Sequence, residues 1–425
     1  MNLKSKFNLK SVDVKVLLSN FSYMSIIEIA NYILPFLTIP YIVQTIGVEK
    51  YGVIMFAYAV MASFNIITGF GFKLLAPKYI SLNRDNIDKV SRYFWTVISS
   101  QIVLILLSFI VFLLLLTNLD KFNEEKLVFI YSFGVVIGTT LFPIWFFQGM
   151  ERMKYIAIIN IVSRLIYTVL IFVVIKNADD YIFIPLLHSL SFVFISIVSF
   201  YFIRKEFKVK FVLASINDMK LLFIEGWYLF LSSISNNLYT QANTILLGLL
   251  TNYSVVGIVS LATTISGAIT NIIKIYSRVT YPYIAKFSND SKVLLSKARL
   301  LLRIYWVLLV VAALITFVLA EFIITLLFGP NNQESILLLR ILAIAFMVEP
   351  LGGFFTTFLV IKNETKTVSK ITFYTMIINF LFIFPLIILF QGLGFVINKL
   401  IVECFQVMLN IRHNKELIFN PKKKV

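Results

Sequence analysis

The chain has 425 residues, 59% of them apolar and only 14% charged, with a mean hydropathy of +0.90; soluble domains are about half apolar and about a quarter charged. This composition excludes an ordinary soluble globule and reads as an all-α polytopic membrane protein. An excess of 38 Lys and Arg over 21 Asp and Glu gives a net charge of +17, which points either to a nucleic-acid partner or to the topology signal of a membrane protein, according to where the charges fall. The single Cys404 excludes an intrachain disulfide, and His188 and His413 alone cannot make a metal cluster.

Cutting the chain where charges and Asn, Gly or Pro clusters interrupt the apolar runs predicts twelve transmembrane helices, at 19–45, 51–75, 93–117, 126–149, 155–175, 181–203, 221–250, 253–277, 300–328, 335–361, 371–391 and 393–411. The first, preceded by Lys4, Lys6, Lys10 and Lys15, is long and lacks a small-residue cleavage signal, so it reads as a retained span. Of the basic residues, 27 fall in the termini and even-numbered connections and four in the odd-numbered ones. That asymmetry places both termini in the cytoplasm and accounts for the positive charge without nucleic acid. Seven cations remain inside predicted spans: Lys73, Arg164, Lys274, Arg278, Arg303, Arg340 and Lys399. The connections are short, so an enzyme would have to work within the membrane.

A shift of 205 residues aligns Asn31 with Asn236, Gly52 with Gly257, Pro77 with Pro282 and Asp85 with Asp290, and sets Lys73 on Arg278. Over Phe21–Asp85 only 8 of 65 pairs are identical, but the matches include a polar residue, a cation and helix-breaking positions in one order. The expected architecture is two six-helix lobes around a central cavity, residues 1–210 and 211–425.

In chain order, Glu28, Asn31 and Pro35 share one face of the first span, which a lipid-facing position would make costly. Glu28 is either a titrating carboxylate or a structural one bonded to a neighbouring helix. Lys73 near the end of the second span, with Lys274 and Arg278 near the end of the eighth, either snorkel to the interface or line a basic cavity suited to phosphate. Arg164 is deeper in its span and joins that set. Gly69-Phe-Gly71, with no strand before it, is not a phosphate loop. In the seventh span, Asn236, Thr240 and Asn243 share one face of a run dense in hydroxyls and amides, suited to sugar hydroxyls or an alkali cation, or to hydrogen bonding between helices. Glu349-Pro350, followed by Gly352 and Gly353, reads as a hinge or a packing kink. Lys399 and Glu403, four apart, read as a self-neutralising pair.

Several runs go beyond general membrane patterning: Asn20-Phe-Ser-Tyr-Met-Ser, Leu37-Thr-Ile-Pro-Tyr-Ile-Val-Gln-Thr-Ile-Gly, Gly69-Phe-Gly-Phe, Pro143-Ile-Trp-Phe-Phe-Gln-Gly-Met-Glu-Arg-Met-Lys, Pro282-Tyr-Ile-Ala-Lys and Leu327-Phe-Gly-Pro. Over roughly residues 15–415 the chain resembles the Wzx O-antigen flippases, in the polysaccharide-transport branch of the multidrug/oligosaccharidyl-lipid/polysaccharide exporter superfamily. The resemblance implies a twelve-helix, two-lobed transporter of the bacterial inner membrane. It would move an undecaprenyl-diphosphate-linked oligosaccharide, an O-antigen or related repeat unit, from the cytoplasmic to the periplasmic leaflet by alternating access.

Lys73, Arg278, Lys274 and Arg164 would line a basic cavity for the diphosphate, and Asn31, Asn236, Thr240 and Asn243 would meet sugar or ion. Members of the family commonly carry Asp-Tyr-Gly-Phe where this chain has Gly69-Phe70-Gly71-Phe72, Arg where it has Gln44, and Asp where it has Asn243. That leaves Glu28 and Glu349 as candidate groups for coupling to H+ or Na+. No catalytic residue, metal or cofactor is expected; the polysaccharide polymerase and chain-length regulator are the partners the family suggests. The alternatives are a drug/cation antiporter of the same superfamily, which a cationic cavity disfavours, and a membrane polymerase or ligase, for which a large periplasmic loop would be expected.

Overall fold

The computed structural model describes the backbone of residues 11–288, 290–330 and 332–418, with side chains from residue 34 onward except 235–240, 278, 282, 291, 416 and 418. The described chain is helical throughout, and nine of its stretches are long and apolar enough to cross a membrane. It divides into two compact units, Met1–Ala242 and Asn243–Val425.

The first unit contains α1 (Ser11–Gly69), α2 (Phe72–Asn83), α3 (Ile87–Asn118), α4 (Asp120–Glu124), α5 (Lys126–Leu141), α6 (Ile144–Gly149), α7 (Met153–Val174), a 3-10 turn (Ala178–Ile182), α8 (Phe183–Glu206) and α9 (Ile216–Thr240). Three breaks have visible causes. Within α1, Gly47 takes φ 82° and ψ 165°, so two helices meet in the gap expected at residues 46–50. The second expected span does not run through to 75: Phe70 (φ 39°) and Gly71 (φ 74°) turn left-handed and α2 starts afresh. The fourth is cut at Phe142–Pro143, where α5 ends and α6 begins.

Small residues set the closest approach in this unit. On α5, Gly134 and Gly138 are spaced as in a G-x-x-x-G pair and face Ser189 and Phe192 of α8; Ser196 Oγ donates to Gly138 O at 2.7 Å, and Ser189 Oγ donates to Tyr131 O. Buried hydroxyls join α1 to α5 as well, through Thr68 and Thr140 at 2.6 Å and Thr139 donating to Asn65 Oδ1 at 2.6 Å. An aromatic core surrounds α6: Trp145, Phe146 and Phe147 are buried, with Phe146 edge-on to Phe94 at 5.4 Å and Phe147 packed with Tyr155 and Phe207. The first half of the run from Pro143 to Lys154 is therefore mostly buried packing, while Glu151, Arg152 and Lys154 are exposed.

The polar connections pair among themselves. Arg92 makes a two-pronged bond to Asp218 at 2.7 and 3.0 Å, Lys210 meets Asp88 at 3.0 Å and Arg84 meets Glu151 at 3.0 Å. Apart from these, Lys50 lies 3.3 Å from Glu125, which also accepts from Tyr181 at 2.6 Å. The first group joins only residues from expected even-numbered connections; Lys50 and Glu125 come from odd-numbered ones, with Tyr181 at the adjoining start of the sixth expected span, as alternating crossings require.

The second unit contains α10 (Ala242–Leu250), α11 (Tyr253–Ala285), α12 (Ser291–Phe328), α13 (Gln333–Ile361), α14 (Thr365–His413) and α15 (Lys415–Ile418). The seventh expected span, 221–250, is interrupted at Gln241, between α9 and α10. α14 is two helices joined at Gln391 (φ 49°, ψ −121°), where the sequence also places a boundary. Pro350 is buried inside α13, which stays helical from Gln333 to Ile361. The core at one end of this unit packs Tyr305, Phe354, Phe355 and Phe358, with Tyr276 stacked on Tyr305 at 4.7 Å.

Candidate functional site

Three helices of the second unit converge on one carboxylate. Lys274 of α11 places Nζ 2.6 Å from Glu349 Oε1, and Lys399, in the second half of α14, places Nζ 3.2 Å from Glu349 Oε2. The three residues stand at similar distances from the ends of their helices. Lys274 precedes the end of α11 at Ala285, Glu349 the end of α13 at Ile361 and Lys399 the end of α14 at His413; at 1.5 Å per residue the three lie about 17, 18 and 21 Å from those ends. All three belong to stretches long and apolar enough to cross a membrane.

Two ammonium groups share this one carboxylate. Lys274 and Lys399 side chains remain 39% and 28% exposed, against 18% for Glu349. An ammonium has three N–H donors, so each lysine can bond Glu349 and still present donors to a ligand. Lys399 and Glu403, expected as a pair, both lie on α14; a second carboxylate, projecting from α13, reaches the Lys399 ammonium, and Glu403 is buried and partnered.

A second constellation is uncharged. Asn243 of α10 and Asn379 of α14 exchange reciprocal carboxamide hydrogen bonds at 2.9 Å, and Asn398 Nδ2 donates to Asn379 Oδ1 at 2.8 Å. All three are buried, and Asn398 Oδ1 has no partner among the described residues. Sequence reasoning singled out Asn243 but missed Asn379 and Asn398. Asn379 is the one amide in the first half of α14, and that isolation is itself a signal, since a buried amide must find another polar group.

The remaining expected residues are dispersed. Lys73, on α2, is exposed and has no ion-pair partner among the described residues. Arg164, on α7, is half-buried and partnered. Near it, His188 is ringed by Tyr58, Tyr167 and Phe192 at 5.0–5.1 Å between ring centroids. The side chains of Glu28, Asn31, Asn236, Thr240 and Arg278 lie outside the described residues. Phe70, in the segment where the family commonly has an acid, stacks on Phe230 at 4.2 Å and meets Phe223 edge-on at 4.9 Å. Aromatic packing fills this corner, and a Cβ at Gly71 would lie 2.8 Å from Leu229.

The architecture is that of a polytopic helical membrane protein with a charged triad and an amide cluster set within its spans. It is shared with a solved lipid II flippase, MurJ, in an inward closed conformation (TM-score 0.73, 14% identity, covering 93% of this chain and 87% of that one). An inward-facing multidrug resistance MATE family transporter of the MOP superfamily shares it too (TM-score 0.69, 15% identity, covering 91% and 95%). The chain belongs to the polysaccharide biosynthesis protein family, whose model matches residues 17–288. Over 410 residues, 94% of this chain and 97% of the relative, it is 28% identical to a protein of Escherichia coli (strain K12) named "Putative O-antigen transporter".

Proposed function

We propose that this protein is a flippase of the bacterial inner membrane. In this reading it moves an undecaprenyl-diphosphate-linked oligosaccharide from the cytoplasmic to the periplasmic leaflet by alternating access, with no covalent step. The observation that carries the reading is the convergence of two lysines, Lys274 and Lys399, on one carboxylate, Glu349, within helices of mostly apolar sequence. Ionisable groups inside spans are costly and mark substrate paths. An anionic diphosphate suits the two ammonium groups, buried amides and hydroxyls suit sugars, and a polyprenyl tail can stay in lipid.

Membership of the polysaccharide biosynthesis family and the similarity to an O-antigen transporter support the substrate class. Twelve crossings follow if the long stretches Leu34–Asn83 and Thr365–His413 each count twice, at the Gly47 and Gln391 breaks, and Ile216–Leu250 is added to the nine apolar stretches. Cytoplasmic termini follow from the basic even-numbered connections. Coupling to H+ or Na+ would fall on Glu28 or Glu349. A multidrug resistance transporter shares the fold, but a site that presents two ammonium groups disfavours cationic drugs.

The test is complementation of strains lacking defined lipid-linked oligosaccharide flippases, followed by extraction of the lipid-linked repeat unit. Restored surface polysaccharide with clearance of the accumulated lipid intermediate is expected. Normal membrane insertion with continued accumulation in every strain would overturn the reading.

A further inference from the structure

A flippase site must bind its substrate on one side and let go on the other, and two lysines left to themselves would release a diphosphate slowly. The position of Glu349 answers that difficulty. Its two oxygens sit on one carbon and engage one ammonium each, at 2.6 and 3.2 Å, as two non-bridging oxygens on one phosphorus would.

We propose that Lys274 and Lys399 form a phosphate-binding pair and that Glu349 is its built-in counter-ion, occupying both ammonium groups until a phosphate of the substrate displaces it and re-pairing with them to expel that phosphate. The inference rests on the flippase reading for the identity of the substrate, but the exchange itself concerns only these three side chains. Lysine suits the role: a compact charge on a flexible four-carbon stem can swing from one acceptor to another with its helix still, whereas an arginine fork is committed to one geometry. Exposure is graded the same way, with both lysines more open than the carboxylate they share. Glu349 also has local freedom to withdraw. Pro350 beside it removes a backbone hydrogen bond from α13, and around Gly353 a Cβ would meet nothing within 4 Å. Self-pairing also discriminates, because an anion must outcompete a carboxylate already in place.

The exchange predicts opposite effects on binding and transport, which a merely structural salt bridge would not produce. The experiment titrates the full chain, in nanodiscs of zwitterionic phosphatidylcholine, with farnesyl diphosphate by calorimetry. A parallel titration uses inorganic pyrophosphate, and the same variants are scored in the complementation strain. Glu349→Gln is expected to bind farnesyl diphosphate about tenfold more tightly than the wild type while supporting less surface polysaccharide. Lys274→Gln and Lys399→Gln are each expected to bind about tenfold more weakly, and the gain from Glu349→Gln to vanish when both lysines are replaced.

Glu349→Asp, which keeps the charge but shortens its reach, guards against a folding defect in Glu349→Gln and should bind between the two. Equal or weaker binding by both Glu349 variants, with unchanged melting temperature, overturns the counter-ion role. A gain seen with farnesyl diphosphate but absent with pyrophosphate overturns the assignment to phosphate and moves it to the lipid tail. If the wild type complements but Glu349→Gln binds no more tightly, the exchange fails and the flippase reading stands. If the gain appears but no flippase-deficient strain is complemented, the phosphate site stands and the flippase reading fails.

Discussion

Replacing Asn379 by Ala removes the hub of the amide cluster. Asn379 takes part in three hydrogen bonds, giving one and accepting one with Asn243 and accepting a third from Asn398. At about 0.6 kcal/mol for an interhelical bond within a membrane protein, the three amount to about 2 kcal/mol. The loss also strands groups: Asn398 already has an unpartnered Oδ1, so its whole buried carboxamide would go unsatisfied, which adds about 1–2 kcal/mol. Asn379→Ala should therefore cost about 3–4 kcal/mol. Asn398→Ala breaks one bond and removes an already half-satisfied group, so it should cost about 1 kcal/mol or less. Asn379→Asp keeps both acceptor roles and should fall between them. The assay is equilibrium unfolding of the purified protein by SDS titration in mixed micelles, followed by circular dichroism. Equal costs for Asn379→Ala and Asn398→Ala, or a cost below about 0.5 kcal/mol for the former, would refute the hub arrangement.

Gly138→Val should lower folded yield and melting temperature, because a Cβ there would lie 2.5 Å from Phe192 and 2.7 Å from Val193 N; overpacking against backbone places the cost near the top of the usual range, about 3 kcal/mol. Gly267→Ala, on a helix with open space around the new methyl, serves as the contrast and should be neutral or slightly stabilising in the same thermal melt. Replacing Lys73 and Arg278 together by Gln should abolish surface polysaccharide while leaving membrane insertion intact, and unchanged polysaccharide would remove both from the substrate path. Alkaline phosphatase fused after Asp179 should be active and fused after Lys208 inactive; the reverse pattern would invert the topology.

Helices, and several of their boundaries, were legible in the sequence because hydropathy and charge act locally. The Gly47 and Gln391 turns fall where Gly, Gln and charged residues interrupt apolar runs. Breaks inside apolar stretches were not legible. Phe70–Gly71 and Phe142–Pro143 carry a glycine and a proline able to break a helix, but hydropathy does not fall around them, and Phe70 is packed on Phe230. At the candidate site, Lys274 and Glu349 stood out as costly charges, but their contact did not, since it spans 75 residues between α11 and α13. Lys399 was matched with Glu403 because spacing along one helix is all that a sequence displays; its contact with Glu349 across to α13 needs the packed bundle. The amide cluster failed to show for the same reason, its members Asn243 and Asn379 lying 136 residues apart.

The most direct test is transbilayer movement in vesicles containing only the purified chain and a short-chain diphosphate-linked oligosaccharide, with the fraction exposed outside read by a membrane-impermeant sugar-modifying reagent. The account predicts that the wild type makes the inner pool accessible and that the Lys274→Gln/Lys399→Gln variant, inserted to the same level, does not. Movement no faster than in protein-free vesicles, or equally fast in that variant, would contradict it.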